Sequence, residues 1–383
     1  MIRRRTFVEG RKAINITLII LIGILLISLI FSDKIERLLK LKPNIRYSSS
    51  TQVHFIDVGQ GDAIAIKLSN GKVMLVDSGT TEYENKLDYY LDNVVLKNSK
   101  TIDYLVLTHP DADHSGNMKH IMDKYKIGVF FRPTIYEMYE NKVPSCENET
   151  YRGVIQTANG HNIETRFHSD YSIIENGIKI SFLTCFEYLD STKMETNDYS
   201  PMIIIEDNGH KVLLAGDISS DIENKFMQKY SADYLDVDIL KLSHHGSKYS
   251  NSSQFLEVTT PEFVVASVGI NTYGQPANET ILRILEYDKL KNTNLYSNFL
   301  NTKDDGNIIY SLEEKIKVEM IKNIDDYNFA HYFVYVIIFI GYISFIIARP
   351  YIIAFRKDYR FYKQNKDYDR LKEKEALEKL REN

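Results

Sequence analysis

The sequence predicts an α/β domain of four layers, αββα, flanked by two transmembrane helices. Three observations predict it. Short β-type runs alternate with helical ones through the middle of the chain, which implies strand bundles whose two sheet faces are covered by helices. An apolar run close to bilayer length stands near each end. And the apolar strands of the middle region repeatedly end in aspartate or histidine.

Taken in order, residues 1–12, "MIRRRTFVEGRK", are a basic N-terminus. Residues 13–31, "AINITLIILIGILLISLIF", come close to the roughly 20 apolar residues a helix needs to cross a bilayer. No small-x-small cleavage site follows, so the segment reads as an uncleaved anchor rather than a signal peptide. Residues 32–52 are a linker, and 53–313 the globular domain. There "VHFIDV", "AIAIKL" and "KVMLVD" read as close-spaced strands, the last two joined by a hairpin-like turn centred on Asn70-Gly71. A polar helix through "NKLDYYLDNVVLK", the strand "DYLVL" and a helix through "NMKHIMDKY" come next; "KISFLT", "PMIIIED", "KVLLAGD", "VDILKLS" and "FVVASVG" are the later strands. Residues 314–328 form a second linker. Residues 329–348, "FAHYFVYVIIFIGYISFIIA", are apolar around the whole helical circumference and read as a second span, with His331 near its outer end. The charged tail 349–383 carries Leu371, Leu377 and Leu380 as one stripe of a short solvated helix.

Basic residues before the first span and after the second place both termini in the cytoplasm and the domain outside the cell membrane. Between residues 33 and 328, 31 Lys and Arg face 44 Asp and Glu, about −13, although the whole chain of 383 residues carries only −5. The exterior domain is therefore acidic. Cys146 and Cys185, the only two cysteines, lie in it, and an oxidising exterior permits a disulfide or two free thiols.

The chemistry gathers at strand ends, where side chains are freed from the core. Asp77 follows "MLV"; His109, Asp111, Asp113 and His114 fill "LTHPDADH"; Asp217 ends "LLAGD"; His244 and His245 follow "LKLS". One aspartate after a strand is usually a cap or turn former. Repetition at four strand ends makes independent structural explanations improbable and points to a metal. Asp57 and Asp62 of "DVGQGD" either brace that site or shape a Gly-rich turn. Ser247, Lys248 and Ser250 are placed to hydrogen-bond a phosphate, with Asn271, Tyr273 and Gln275 on the same rim. His120, His161, His168 and His210 lack such company and read as surface or satisfied polar groups.

The order Asp, HxDxDH, Gly-Asp and HHGS resembles the metallo-β-lactamase fold. "HFIDVGQGDAIAI", "THPDADHSGN", "NDYSPMIII", "LLAGDI", "LKLSHHGSKYS" and "SVGINTYGQP", spread over residues 53–300, are similar to the hydrolase domain of ComEC-type competence proteins. The large DNA channel of those proteins has no counterpart in two flanking helices, so translocation is not implied. The resemblance implies two divalent metal ions, manganese or zinc. His109 and Asp111 would serve one, Asp113 and His114 the other, Asp217 would bridge them, and one histidine of the His244–His245 pair would complete the ligand set of the second ion. Asp113 and Asp217 are the implied catalytic carboxylates. The common pattern has histidine where Asp111 stands, and Asn197 falls where a later histidine would be. Imidazole suits zinc whereas carboxylate and amide oxygens suit harder ions, so this replacement shifts preference toward manganese. Asp77 is read as the acceptor that fixes a ligating imidazole's tautomer, and Ser247 as a substrate contact.

Two functional classes follow. One is a membrane-anchored metallohydrolase of phosphodiesters, with DNA the substrate the resemblance suggests and a phosphocholine or cell-wall phosphodiester the alternative, because a domain near −13 repels a polyanion. The other is an inactive binding domain with an envelope protein partner. Intact ligand runs favour the enzyme.

Overall fold

The computed structural model describes residues 48–133 (98 apart), 135, 149–189 and 194–322, together with helical stretches between 338 and 374. The chain divides into two units, Pro43–Ile324 and a second made of Met1–Lys42 with Asp325–Asn383. In the second unit the expected first span and residues 329–337 of the other lie outside the described residues. Among the described residues no helix is long and apolar enough to cross a membrane. Residues 363–374 of the tail are helical, and Ile338, Phe339, Phe345 and Ile353 are exposed.

The first unit holds two mixed sheets. The eight-stranded sheet runs β15-β14-β1-β2-β3-β4-β5-β6, with β1 Gln52–Phe55, β2 Ile64–Lys67, β3 Val73–Val76, β4 Thr101–Val106, β5 Lys126–Arg132, β6 Glu164–Phe167, β14 Asn307–Ser311 and β15 Lys317–Ile321. The seven-stranded sheet runs β13-β12-β11-β10-β9-β8-β7, with β7 Tyr171–Glu175, β8 Ile178–Leu183, β9 Met202–Asp207, β10 His210–Leu214, β11 Ile239–Lys241, β12 Phe263–Ala266 and β13 Phe299–Asn301. Every strand expected from the sequence is present. The β2–β3 hairpin turns at Asn70-Gly71, where the Lys72 amide donates to Asn70 Oδ1 at 3.0 Å and Gly71 takes a φ of 89°.

Strand alternation builds the layers. In the seven-stranded sheet Ile203, Ile205, Val212, Leu214, Ile239 and Val265 face the other sheet and meet Val53, Phe55, Ile64, Ile66, Met74 and Val76 across the sandwich. Their neighbours Met202, Ile204, Leu213, Leu240 and Val264 face outward, under Phe226, Phe255 and Ile284 of the helices Ser220–Lys229, Ser253–Thr259 and Asn278–Lys291. Ser252 caps the second of these by accepting from the Phe255 amide. Cys185 is buried in this outer layer, and burial pushes its thiol up to about 12; Cys146 lies outside the described residues. On the eight-stranded sheet, helix Glu84–Tyr90 buries Leu87 and Tyr90, and the Tyr90 hydroxyl pairs with His54 Nδ1 of β1 at 2.9 Å. The strand ends of β3, β4, β10, β11 and β12 and the β1–β2 loop converge at one edge of the sandwich.

Candidate metal centre

Close backbone approach assembles this edge. A Cβ on Gly61, at φ 142°, would stand 2.3 Å from the Asp113 carbonyl oxygen, and one on Gly269 would stand 2.4 Å from the Gln60 amide nitrogen. Only glycine lets the β1–β2 loop lie against the "DADH" segment and the end of β12. The Asp62 amide then donates to the Asp113 carbonyl at 3.1 Å.

Three imidazoles are oriented alike. His114 Nδ1 donates to Asp77 Oδ2 at 2.8 Å, and His245 Nδ1 donates to the Ser267 carbonyl at 2.8 Å. His109 Nδ1 lies 3.0 Å from Thr108 Oγ1, whose own hydroxyl donates to Asp77 Oδ2 at 2.7 Å. With each Nδ1–H engaged by an acceptor, each Nε2 is left as the lone-pair nitrogen. These nitrogens converge: His114 Nε2 and His245 Nε2 are 3.4 Å apart, and Asp217 Oδ2 lies 3.3 and 3.2 Å from them. Asp113 Oδ2 is 3.3 Å from His245 Nε2. His109, His114 and Asp217 form one group whose ligand atoms lie within 4.8 Å of one another, and Asp113, His114 and His245 form a second.

The donor set fits a binuclear metal site on two grounds. His109 Nε2 is buried without a hydrogen-bond partner, a cost that a cation removes. Two lone-pair nitrogens 3.4 Å apart also repel unless a proton or an ion lies between them. The surrounding carboxylates favour the charged form of both imidazoles. Burial alone would lower His245, but Asp217 and Asp113 outweigh it and raise the imidazole to about 10. His114 is likewise held up against burial, chiefly by Asp217 and Asp77. Burial would raise Asp217 and Asp113, yet the same two histidines hold both carboxyls below their usual range. His109, buried and beside His114, is pushed down and stays neutral.

The other expected residues take distinct places. Asp77 is buried at the end of β3 and accepts from His114 and Thr108. Asp111 has a side chain 39% exposed, with Oδ2 3.8 Å from His109 Nε2. Asn197 stands in the turn Thr196–Tyr199; its Oδ1 is buried without a hydrogen-bond partner. Of the histidine pair the geometry selects His245. His244 is a third exposed, its Nε2 is 3.8 Å from Asp217 Oδ2, and it lines an adjoining cavity. Ser247 lines the same cavity.

Two residues of this centre were not singled out as ligand-grade. Asp62, left between bracing the site and shaping a turn, is buried with Oδ2 2.5 Å from Lys241 Nζ, whereas Asp57 pairs with Lys86 at 2.6 Å. Lys241, at the end of β11, is itself fully buried; burial would lower its ammonium, but Asp62 and Asp217 hold it up. In "DILKL" alternation puts Lys241 on the face of Ile239, and only the sheet register shows that this face is the inner one.

The metallo-beta-lactamase superfamily profile matches residues 56–269, more than half of the chain. ComE operon protein 3 of Bacillus subtilis is 24% identical over 285 residues, covering 70% of this chain and 34% of that protein. Competence protein ComA of Neisseria gonorrhoeae is 27% identical over 241 residues, covering 62% and 30%. The chain thus spans about a third of the length of these curated relatives. Igni18, a metallo hydrolase of Ignicoccus hospitalis, has a solved structure that is 18% identical with a TM-score of 0.41, covering 68% of this chain and 100% of its own. The chain belongs to the metallo-β-lactamase superfamily and is a metal-dependent hydrolase of it, with a His/Asp metal site.

Proposed function

We propose that this superfamily member is a membrane-anchored phosphodiesterase of the cell exterior that acts on single-stranded nucleic acid. The observation that carries the reading is an open cavity of about 700 Å³ beside the metal centre, with His244 on its wall. Lys248 and Lys303 bring positive charge to it, and Tyr249 and Tyr273 stand 69% and 79% exposed. The Lys248 ammonium lies 5.0 Å over the Tyr249 ring. Exposed aromatic rings beside lysines suit bases that stack while phosphates are paired, and such stacking is worth about 1–3 kcal/mol per base. The relative named as a competence protein supports the same direction.

His109, His114, His245, Asp113 and Asp217 would hold the ions, with Asp111 and Asn197 at the margin. Divalent ions held by these residues would supply Lewis-acid activation of a water and of the phosphoester. The protein's part is orientation: the Nδ1 acceptors fix every imidazole, and Lys248, Ser247 and the tyrosines hold the strand at the mouth. Manganese is the preferred ion on the donor chemistry of Asp111 and Asn197.

Residues 13–31 and 329–348 anchor the domain, and the exposed apolar side chains of Ile338, Phe339 and Phe345 support the second anchor. Protease treatment of intact cells is expected to remove the central domain and spare both termini; loss of the C-terminal tail alone reverses the orientation. Substrate is tested with the full chain on single-stranded DNA, duplex DNA and glycerophosphocholine. Cleavage of single-stranded DNA, at least about ten-fold weaker in Tyr249→Ala/Tyr273→Ala, is expected. Hydrolysis of the choline diester without any of DNA would favour a cell-wall phosphodiester, the reading that the acidic domain supports.

A further inference from the structure

Lys241 is a lysine inside a sandwich core. It ends β11, a central strand paired with Leu214 on one side and Val265 on the other, and its side chain is 0% exposed. Burying a charge costs several kcal/mol unless it is paired, so its partners are the informative part. Nζ lies 2.5 Å from Asp62 Oδ2, 3.3 Å from the Gly216 carbonyl oxygen and 3.8 Å from Asp217 Oδ1. Asp217 is therefore divided: Oδ1 faces the ammonium, and Oδ2 faces His114 and His245.

Two further groups of potential ligands contain Asp62, one with Asp217 and His245 and one with Asp77 and His114. Neither is open to an ion. In the first, Asp62 Oδ2 holds the ammonium, and Asp62 Oδ1, though buried without a hydrogen-bond partner, faces His245 Nδ1 at 3.6 Å, a nitrogen committed to the Ser267 carbonyl; in the second, His114 Nδ1 is committed to Asp77.

We propose that Lys241 is a positioning residue for the metal centre, a built-in cation that occupies the Asp62 side of the cluster, keeps Asp62 out of the metal shell and turns Asp217 so that Oδ2 is presented to the histidines. The proposal concerns metal binding and is independent of the substrate.

The test uses the full chain stripped with a chelator and titrated with manganese or zinc alone, reading bound metal per chain and affinity by competition. Asp62→Asn leaves Lys241 on Gly216 and Asp217 and is expected to bind two ions within about three-fold of the parent affinity. Lys241→Met/Asp62→Asn removes the pair at constant net charge, so altered affinity there reports the orientation of Asp217 rather than a changed field. It is expected to bind at least about ten-fold more weakly than the parent, whose net charge it shares, the scale on which partners of metal ligands act, and to lose the second ion. Equal affinity in the double variant and Asp62→Asn would overturn the proposal and make Lys241 only a counter-ion for Asp62. A loss in Asp62→Asn as large as in the double variant would assign the effect to Asp62 and overturn it too. Metal-free thermal unfolding checks that each variant folds; should the methionine variant not fold, Lys241→Gln/Asp62→Asn is read by the same criteria.

Discussion

Asp217 is the carboxylate on which the metal centre turns, since Oδ2 is within 3.3 Å of both His114 Nε2 and His245 Nε2. Asp217→Ala is expected to abolish phosphodiester hydrolysis, by at least about 10²-fold, while metal-free circular dichroism stays native; activity that survives would remove the two-ion mechanism. Asp111 tests metal choice. Hydrolysis by metal-stripped protein should be stronger with manganese than with zinc, and Asp111→His should move the preference toward zinc. Zinc-only activity unchanged by Asp111→His would show that the aspartate does not tune the metal. The histidine pair gives a second contrast. His245→Ala removes an Nε2 at the centre and should cost at least about ten-fold in metal affinity, whereas His244→Ala should leave affinity within about three-fold and raise KM, because His244 lines the cavity. Both positions take left-handed backbone, φ 55° and 50°, a conformation that costs non-glycine residues of order 1–3 kcal/mol and that persists where surroundings over-determine it. Here the Ser267 acceptor and the His244 amide bond to Gly216 do so.

At the scale of elements, β1 and the segment after β6 each carry a buried histidine outside the metal centre. Burial pushes His54 and His168 down to about 3, in the former with help from Lys67. The unfolded chain binds these protons near pH 6.5 and the folded one does not, so each contributes stability that is fully present above pH 6.5 and lost as pH falls toward 3. His168 stacks on Phe182, and His168→Phe keeps the ring while removing the proton site. Without metal, the parent is expected to lose about 2 kcal/mol more than His168→Phe between pH 7 and pH 5. Equal losses in urea unfolding would refute the buried neutral histidine. The strands that alternation revealed, such as "PMIIIED" and "KVLLAGD", were legible because each carries its apolar period within a few residues. β14 and β15 were not. β14 pairs with β1, which lies some 250 residues away, Gln52 opposite Ser311, and β15 joins the sheet only through β14; a local period carries no information about such a distant partner. The ligand runs were legible for the same local reason, since each follows its strand directly. Asp62 and Lys241 were harder: a single lysine in a strand reads as outward-facing until the register fixes its side. The choice of His245 over His244 likewise rested on a backbone turn that sequence does not display.

For the whole molecule, the charge of the domain conflicts with its proposed substrate. A segment near −13 repels a polyanion, and clustered Lys and Arg that would offset this are confined at the cavity mouth to Lys248 and Lys303. The conflict makes a quantitative prediction. Each phosphate neutralised on a single strand contributes about −0.7 to the slope of log affinity against log salt, so two lysines give about −1.4. Repulsion between strand and domain weakens with added salt and makes the net slope shallower still. Affinity for a single-stranded oligonucleotide, measured by anisotropy from about 50 to 200 mM salt with the Asp217→Ala chain to prevent cleavage, should therefore fall only a few-fold, by less than about seven-fold at a slope of −1.4. Lys248→Ala should flatten the slope by about 0.7. A slope near −5 would mean that a basic surface elsewhere on the chain carries the strand, and the cavity would lose its role as the nucleic-acid site. A slope unchanged by Lys248→Ala, with binding intact, would leave the tyrosines as the only contact and point to a ligand recognised by its rings rather than its phosphates.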